Sequence, residues 1–341
     1  MPMLVVLPPE QLLLALLLQA IYGLRSERLL LEQLDCNLLY RWFVGLAADD
    51  PIWHHSSFSK NRERLLNERV LALFLETLLG MEGVKPLLSN EHFSVDGALL
   101  QAWASHASLK AVDAQHHQGQ DNSTPPAPPA RPGQGFCNTE TTSAGKQKKR
   151  GKPDFHGERF SNGAHRSTYD PDARLARRST AHPALLSFLG HVLMDNRHHL
   201  VVDSRLTLAN GYGERAAAQE MVANPKGKHP RTIGADRGYD TKGFAGFMRW
   251  CGVTPHVARN TKRKGGSAID QRTTRHPGYR QSLNARRGIE KVFGWIKQAA
   301  GLRQCKHRGR DRVGGVFLLH VIAYDMEGGR SMNRAIAPIG L

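Results

Sequence analysis

The chain has 341 residues, of which 40% are apolar and 23% charged, enough to bury a core and inconsistent with disorder throughout. Forty-seven Lys and Arg against 30 Asp and Glu leave a net charge of +17, which points to an anionic polymer or anionic membrane surface as partner. The four cysteines (Cys36, Cys137, Cys251, Cys305) form no CxxC, which argues against a zinc ribbon or a disulfide framework and for reduced thiols in a cytosolic protein.

Along the chain, Pro8 and Pro9 stand where a helix begins, and an apolar run then reaches Tyr22, with Gly23 as its stop. The stretch Leu12 to Leu24 falls short of the roughly 20 apolar residues that span a bilayer, and no basic residue precedes it as in a signal peptide. It reads as a core helix. Ser26 caps a second predicted helix running through Leu30, Leu31, Leu34 and Leu38 to Trp42 and Phe43, and Asn61 to Leu79 reads as a third. His92 to Val95 reads as a strand entering a turn at Asp96-Gly97, with Leu99 to Ala107 continuing as a helix. From about Val112 to Asn162 periodicity disappears into Pro-, Gly- and Lys-rich sequence, a disordered or loosely ordered insertion.

Regular structure returns with two strands, Leu185 to Met194 and Leu200 to Thr207, joined by a turn at Asp195 to His198. Gly213 to Val222 reads as a helix, Thr232 to Ala235 as a strand, Lys242 to Trp250 as a helix, Val253 to Val257 as a strand and Ala285 to Ala299 as a helix. This order implies an α/β fold, a mixed sheet with helices on its faces, behind a helical N-terminal region.

Charge is uneven. Residues 1–60 carry a net of −2, whereas Arg259 to Arg312 holds 16 Lys and Arg against Asp270, Glu290 and Asp311. A solvated face is the plain reading of such a run, but this density favours binding of a phosphate backbone. Within this field three acids stand at the ends of predicted elements or on the last amphipathic helix: Asp96, Asp236 and Glu290. Hard carboxylate oxygens converging at one sheet edge suit a pair of Mg²⁺ ions and phosphodiester chemistry. On an ideal helix Arg286, Glu290 and Lys297 fall within about 40° of one another, beside a buried stripe of Ile289, Val292, Phe293 and Ile296. Taken singly, Asp96-Gly97 also reads as a hairpin turn, Asp236 as a loop acid paired with Arg237, and Glu290 as an exposed partner of Arg286. Asp203 is the main rival for a metal site, and Asp240 reads as structural. The pairs His54-His55, His116-His117 and His198-His199 lack zinc-like spacing and read as surface residues.

In that order, the segments LLEQLDCNLLYRWFVGL, DDPIW followed by FSKNRERLL, EHFSVDGALLQAWASHASLK, HRSTYDPDARL, GADRGYDT and RRGIEKVFGWIK resemble the DDE transposases of bacterial insertion sequences, specifically the insertion-sequence-five group, over about residues 8–324. The resemblance implies an RNase H-like catalytic fold interrupted by an insertion, and a two-metal enzyme that cleaves the ends of its own element and transfers the strand. It places the catalytic, metal-binding acids on Asp96, Asp236 and Glu290 and the DNA-contacting bases around the glutamate on Arg286 and Lys297, with Arg287, Lys291, Lys262, Arg263 and Lys264 adding non-specific affinity. The implied cofactor is Mg²⁺, two ions that Mn²⁺ replaces. The partner is double-stranded DNA, with no membrane and a homodimer formed on the DNA, in the bacterial cytoplasm at the nucleoid.

The expected organisation is a helical domain at 1–90, a catalytic domain at 91–111 and 183–325, an insertion at 112–182 and a tail at 326–341. Three departures accompany the likeness. Leu283 replaces the family's tyrosine three residues before Arg286, the upstream segment is shorter than usual, implying a clipped N-terminal domain, and Ala323 to Gly329 departs from the family's closing helix, implying a decayed tail. Two other functions fit the same charge pattern: a catalytically silent DNA-binding remnant, and a non-transposing nuclease such as a resolvase.

Overall fold

The computed structural model describes residues 8–112, 160–211, 213–224 and 229–328. Most of the predicted insertion, and the chain after residue 328, lie outside them. Five helices come first: α1 (Pro9–Ile21), α2 (Glu27–Cys36), α3 (Leu38–Val44), α4 (His55–Leu65) and α5 (Glu68–Gly80). The predicted helix through Phe43 is broken at Asn37, whose side chain turns to accept from Leu39 and Tyr40 N–H and starts α3 afresh. Asn67 does the same for α5 by accepting from Arg69 N–H, so the helix expected over Asn61 to Leu79 is two. Side-chain capping of free N–H groups outcompetes continuation at both sites.

β1 (His92–Ala102) comes after them, then the short β2 (Leu109–Ala111), β3 (His165–Ser167) and β4 (Arg174–Ala176). Asp96-Gly97 is neither a turn nor a strand end. β1 runs straight through it, held against β5 (Leu185–Asp195) in an antiparallel register from Phe93 opposite Asp195 to Gln101 opposite Ser187. That unbroken ladder also replaces the helix expected after Leu99. β6 (Val201–Leu208), α6 (Gly213–Ala223), β7 (Thr232–Ala235), α7 (Lys242–Trp250) and β8 (Thr254–Val257) come next, within a residue or two of their predicted positions. The chain continues with α8 (Gln271–Thr274), α9 (Pro277–Ala285), α10 (Gly288–Gln298), β9 (Gln304–Cys305) and α11 (Arg310–Gly328).

The main sheet runs β6–β5–β1–β7–β8, the first three strands antiparallel and the last three parallel, with β4 beside β5 and β9 beside β1. In order of appearance its five main strands therefore lie 3-2-1-4-5, the RNase H-like arrangement. β1 and β7 pair only over His92 to Ser94 before they part. The parting is the topological switch point, where successive connections leave for opposite sides and open α/β sheets bind ligands.

One apolar cluster joins the N-terminal helices to the sheet. α11 lies between them, with Val313, Phe317, Val321, Ile322 and Ala323 buried. Helix α11 runs through Ala323 to Gly328, with Ala323, Tyr324 and Asp325 buried, so the tail expected from residue 326 begins inside it. Asp325 is fully buried and accepts from Val201 N–H at 2.9 Å, which ties this helix to β6.

Among the described residues, His191 and His256 are buried in the fold. His191 on β5 meets Thr207 Oγ1 at 2.8 Å, and His256 on β8 meets Ser282 Oγ at 2.7 Å. Burial pushes His191 down to about 3 and His256 down to about 4. Since both folded values lie below that of free imidazole, the unfolded chain takes up protons first on acidification. The stability they contribute is complete above about pH 6.5 and drains away as pH falls through 4, by about 1.4 kcal/mol per histidine for each pH unit crossed. Unfolding midpoints should drop steadily from pH 7 to 4.5, and His256→Gln should flatten that slope.

Candidate active site

Asp96 lies mid-strand, just past the last residue where β1 pairs with β7, and Asp236 directly follows β7. Asp236 caps a short 3₁₀ turn by accepting from Gly238 N–H at 2.7 Å, which fixes the carboxylate at the mouth of the parting. The two acids sense each other. Burial first, then the Asp236 charge, push Asp96 up to about 6, against the opposing pulls of Gly97 N–H and Arg286. Arg286 Nη1 donates to Asp96 at 2.9 Å and its Nη2 stands 3.9 Å from Glu290. Asp96 and Asp236 therefore share a site, and Glu290 is linked to it through Arg286. The Glu290 side chain is 67% exposed, and among the described residues no three acids, histidines or cysteines converge closely enough to hold one ion.

The predicted edge of Arg286, Glu290 and Lys297 does not form as one line. Helix α10 begins only at Gly288, so Arg286 sits in the turn after α9 and reaches down to Asp96. Lys297, two turns beyond Glu290 and roughly 10 Å along the axis, lies over the Phe293 ring at 5.9 Å. Arg287 and Lys291 are exposed at the start of α10. Lys262, Arg263 and Lys264 project from the loop between β8 and α8. Asp203 is not a partner of Asp96. It lies on β6, two strands from β1, in register with Leu193 and hence with Val95, so its side chain takes the opposite face of the sheet from Asp96.

Asp240, buried, is the staple of the basic loop: its carboxylate accepts from Asn260 N–H at 2.6 Å and Ala268 N–H at 2.8 Å, and its carbonyl accepts from Arg263 at 2.8 Å. Asp240→Ala leaves the part-buried Asn260 and Ala268 N–H groups without their acceptor and should cost roughly 1–3 kcal/mol. Limited trypsin digestion should then cut at Lys262 to Lys264 several-fold faster than in wild type.

One acid at this site carries no mark in the sequence pattern. Glu214 lies in the first turn of α6, half-buried, and the charges of Asp236 and Asp96 add to burial in raising it. The signal available was Gly97, a glycine inside a strand, which marks a close approach by another group. A cleft of about 560 Å³ at the far end of β1, lined by Trp103, His106, Tyr169 and Gln304 among others, contains none of these acids.

Residues 182–326, which include Asp236, Glu290 and four of the five main strands, match the family model of the transposase DDE domain. Residues 6–64 match a second model, described as a transposase domain (DUF772), and the two together take up more than half of the chain. The chain belongs to the DDE transposases. No curated protein sequence matches it. Among solved structures, this transposase is similar to a Mos1 transposase paired-end complex with left transposon end, at 11% identity over 98% of this chain and 81% of that one, with a TM-score of 0.20. A pre-cleavage Mos1 transpososome gives 10% identity over the same shares and a TM-score of 0.19. Overlaps this loose say nothing about individual residues. Among the described residues of the transposase, no helix is long and apolar enough to cross a membrane.

Proposed function

We propose that this transposase, of the insertion-sequence-five group, binds the terminal inverted repeats of its own element, cuts there by hydrolysis to free a 3′-OH, and joins that 3′-OH to target DNA. The observation that carries the reading is the pairing of Asp96 and Asp236 across the parting of β1 and β7, with Arg286 bridging Asp96 to Glu290. The donor set fits Mg²⁺ or Mn²⁺: it offers carboxylate oxygens only, and a divalent cation would favour the ionised Asp96 that burial first, and the Asp236 charge after it, disfavour. Asp96 and Asp236 would hold the ions, with Glu290 completing one shell. When bound, the ions would activate the attacking oxygen and steady the leaving one. Arg286 would exchange Asp96 for a DNA phosphate, keeping the guanidinium paired throughout. Arg287, Lys291 and the loop at Lys262, Arg263 and Lys264 would hold the backbone on either side, each contact adding about one unit to the salt slope of binding. Lys297 would extend this track along α10. Two element ends held together require two copies, so the working form is a dimer on DNA in the bacterial cytoplasm.

Arg286 on Asp96 and the outward position of Glu290 favour a second reading, a DNA-binding copy that does not cut. A labelled duplex carrying the element's terminal repeat separates the two. A Mg²⁺-dependent nick at the repeat boundary, lost in Asp236→Asn and with chelator, supports the enzyme; tight binding without a nick supports the silent copy.

A further inference from the structure

We propose that the cleft at the far end of β1 takes an unpaired nucleobase of a DNA strand that runs past the catalytic acids. The inference rests on the DNA-binding reading above and adds a single-stranded partner to it. Trp103 and Tyr169 line this cleft yet remain 44% and 43% exposed, and Leu185, which lines it too, is 39% exposed. Large apolar groups left in water and gathered in one concavity mark a binding surface. A flat aromatic face gives any base a place to stack, whatever its identity.

The two rings are held by backbone hydrogen bonds on every side. β1 ends against β9, where Gln101 N–H donates to the Arg303 carbonyl at 3.3 Å and Gln304 Nε2 donates to the Ala102 carbonyl at 3.1 Å. Beyond it, the 3₁₀ turn His106–Ser108 is clasped to the segment before Tyr169. Thr168 N–H donates to the Ser108 carbonyl at 2.9 Å, and the Ser108 and Ser167 hydroxyls meet at 2.7 Å. Asp170 and Asp172 accept from Gly309 and Arg310 N–H at 3.3 and 2.9 Å, which sets the Arg308 guanidinium 4.2 Å from the centre of the Tyr169 ring.

Charge selects the occupant. No acid lines the cleft, and Arg303 and Arg308, before and after Gln304 on its wall, are exposed. Arg177 and Arg178, also exposed, follow the end of β4 at Ala176, which pairs with Leu185. Guanidinium groups around exposed aromatic rings suit a phosphate chain whose bases stack as it passes. His106 Nε2, on a residue of the wall, is buried without a hydrogen-bond partner, and a base edge would supply one. A duplex keeps its base faces inside the stack, so only an unpaired base enters. The cleft volume of about 560 Å³ lies within the roughly 300–1,000 Å³ of small-ligand sites.

The cleft also lies on the path of the DNA. Along an extended strand Trp103 is roughly 20 Å from Asp96, or about six nucleotide steps. Helix α10 covers the same interval: it starts beside Arg286, which reaches Asp96, and the chain after it returns to the sheet at β9 on the cleft.

The test is fluorescence anisotropy of labelled oligothymidine and of a fully paired terminal-repeat duplex with the full-length chain. The variants are Trp103→Leu, Tyr169→Leu, the conservative Trp103→Phe, and Trp250→Leu as the control, since Trp250 is exposed on α7. Trp103→Leu and Tyr169→Leu should each weaken the single strand by about tenfold or more and leave the duplex unchanged, with Trp103→Phe within about threefold of wild type and Trp250→Leu equal to it. Circular dichroism melts confirm that the variants fold. Forked duplexes with the terminal repeat or an unrelated sequence beside the unpaired arm tell whether the base comes from the element end or from any DNA. If wild type binds duplex but not the strand, or if either Leu variant holds the strand as wild type does, the inference falls and the DNA-binding reading stands. Equal weakening on strand and duplex, or oligouridine bound more tightly than oligothymidine, also overturns it. If wild type binds neither DNA, both readings fall.

Discussion

Asp96→Asn should lower the rate of nicking at least a thousandfold, a loss of about 4 kcal/mol of transition-state stabilisation, while leaving the fold no less stable. The two effects have separate causes. The amide keeps the shape of the carboxylate but cannot hold a divalent cation tightly, so the reaction loses its strongest electrostatic support. Folding, however, now bears the burden of an ionised Asp96, because burial and the nearby Asp236 raise it to about 6. Keeping it charged at pH 7 costs on the order of 3 kcal/mol, which a neutral amide removes and the loss of the Arg286 ion pair partly offsets. The measurement is a single-turnover nicking rate beside a thermal melt of the metal-free protein. Unchanged nicking would remove Asp96 from the site, and a melt several degrees lower would mean that the Arg286 pair outweighs the burial of charge.

The second large effect concerns the seam between the N-terminal helices and the rest. Gly23 has φ +58°, and a Cβ there would lie 2.3 Å from the Ala299 carbonyl oxygen just beyond α10. Gly315 on α11 would place a Cβ 2.6 Å from the Leu66 carbonyl between α4 and α5. Both obstacles are backbone and have no rotamer to yield. Gly315→Leu and Gly23→Ala should each cost roughly 2–4 kcal/mol by forcing the two layers apart, Gly23→Ala carrying an added left-handed penalty of about 1 kcal/mol. Denaturant unfolding checks this, with Gly80→Ala as a control, since nothing lies within 4 Å of a Cβ there.

The elements that can be read from the sequence are those where a single local pattern decides. The ends of β7 and the start of α7 are predictable from Asp236 and Thr241, whose side chains cap the 3₁₀ turn and the helix that begin there. The apolar stripe of Ile289, Val292, Phe293 and Ile296 likewise marks α10. Helix α11 leaves no such mark because it is apolar on nearly every side, buried between two layers, and has no one-sided period to detect. Helix α9 leaves none because Pro277 starts a segment with little apolar character apart from Tyr279 and Leu283. At the site, Asp236 stands at a strand end as expected. Asp96 does not occupy the strand end that its sequence suggests, since the splitting of β1 from β7 is a long-range event that no local pattern records. Glu214 has no periodic signature at all; only the space left by Gly97 reveals it, and that is visible once α6 has docked.

The place of α11 also sets the order in which the molecule can be made. Its residues leave the ribosome after every other described element, yet α1, α5 and β6 all close upon it. Until it emerges, α1 and α5 on one side and β6 on the other lack the helix that joins them. Such contacts between distant parts of a chain form slowly and leave sticky surface exposed meanwhile. A chain that ends before Arg310 thus keeps apolar surface of α1, α5 and β6 exposed, which makes it prone to aggregation and proteolysis.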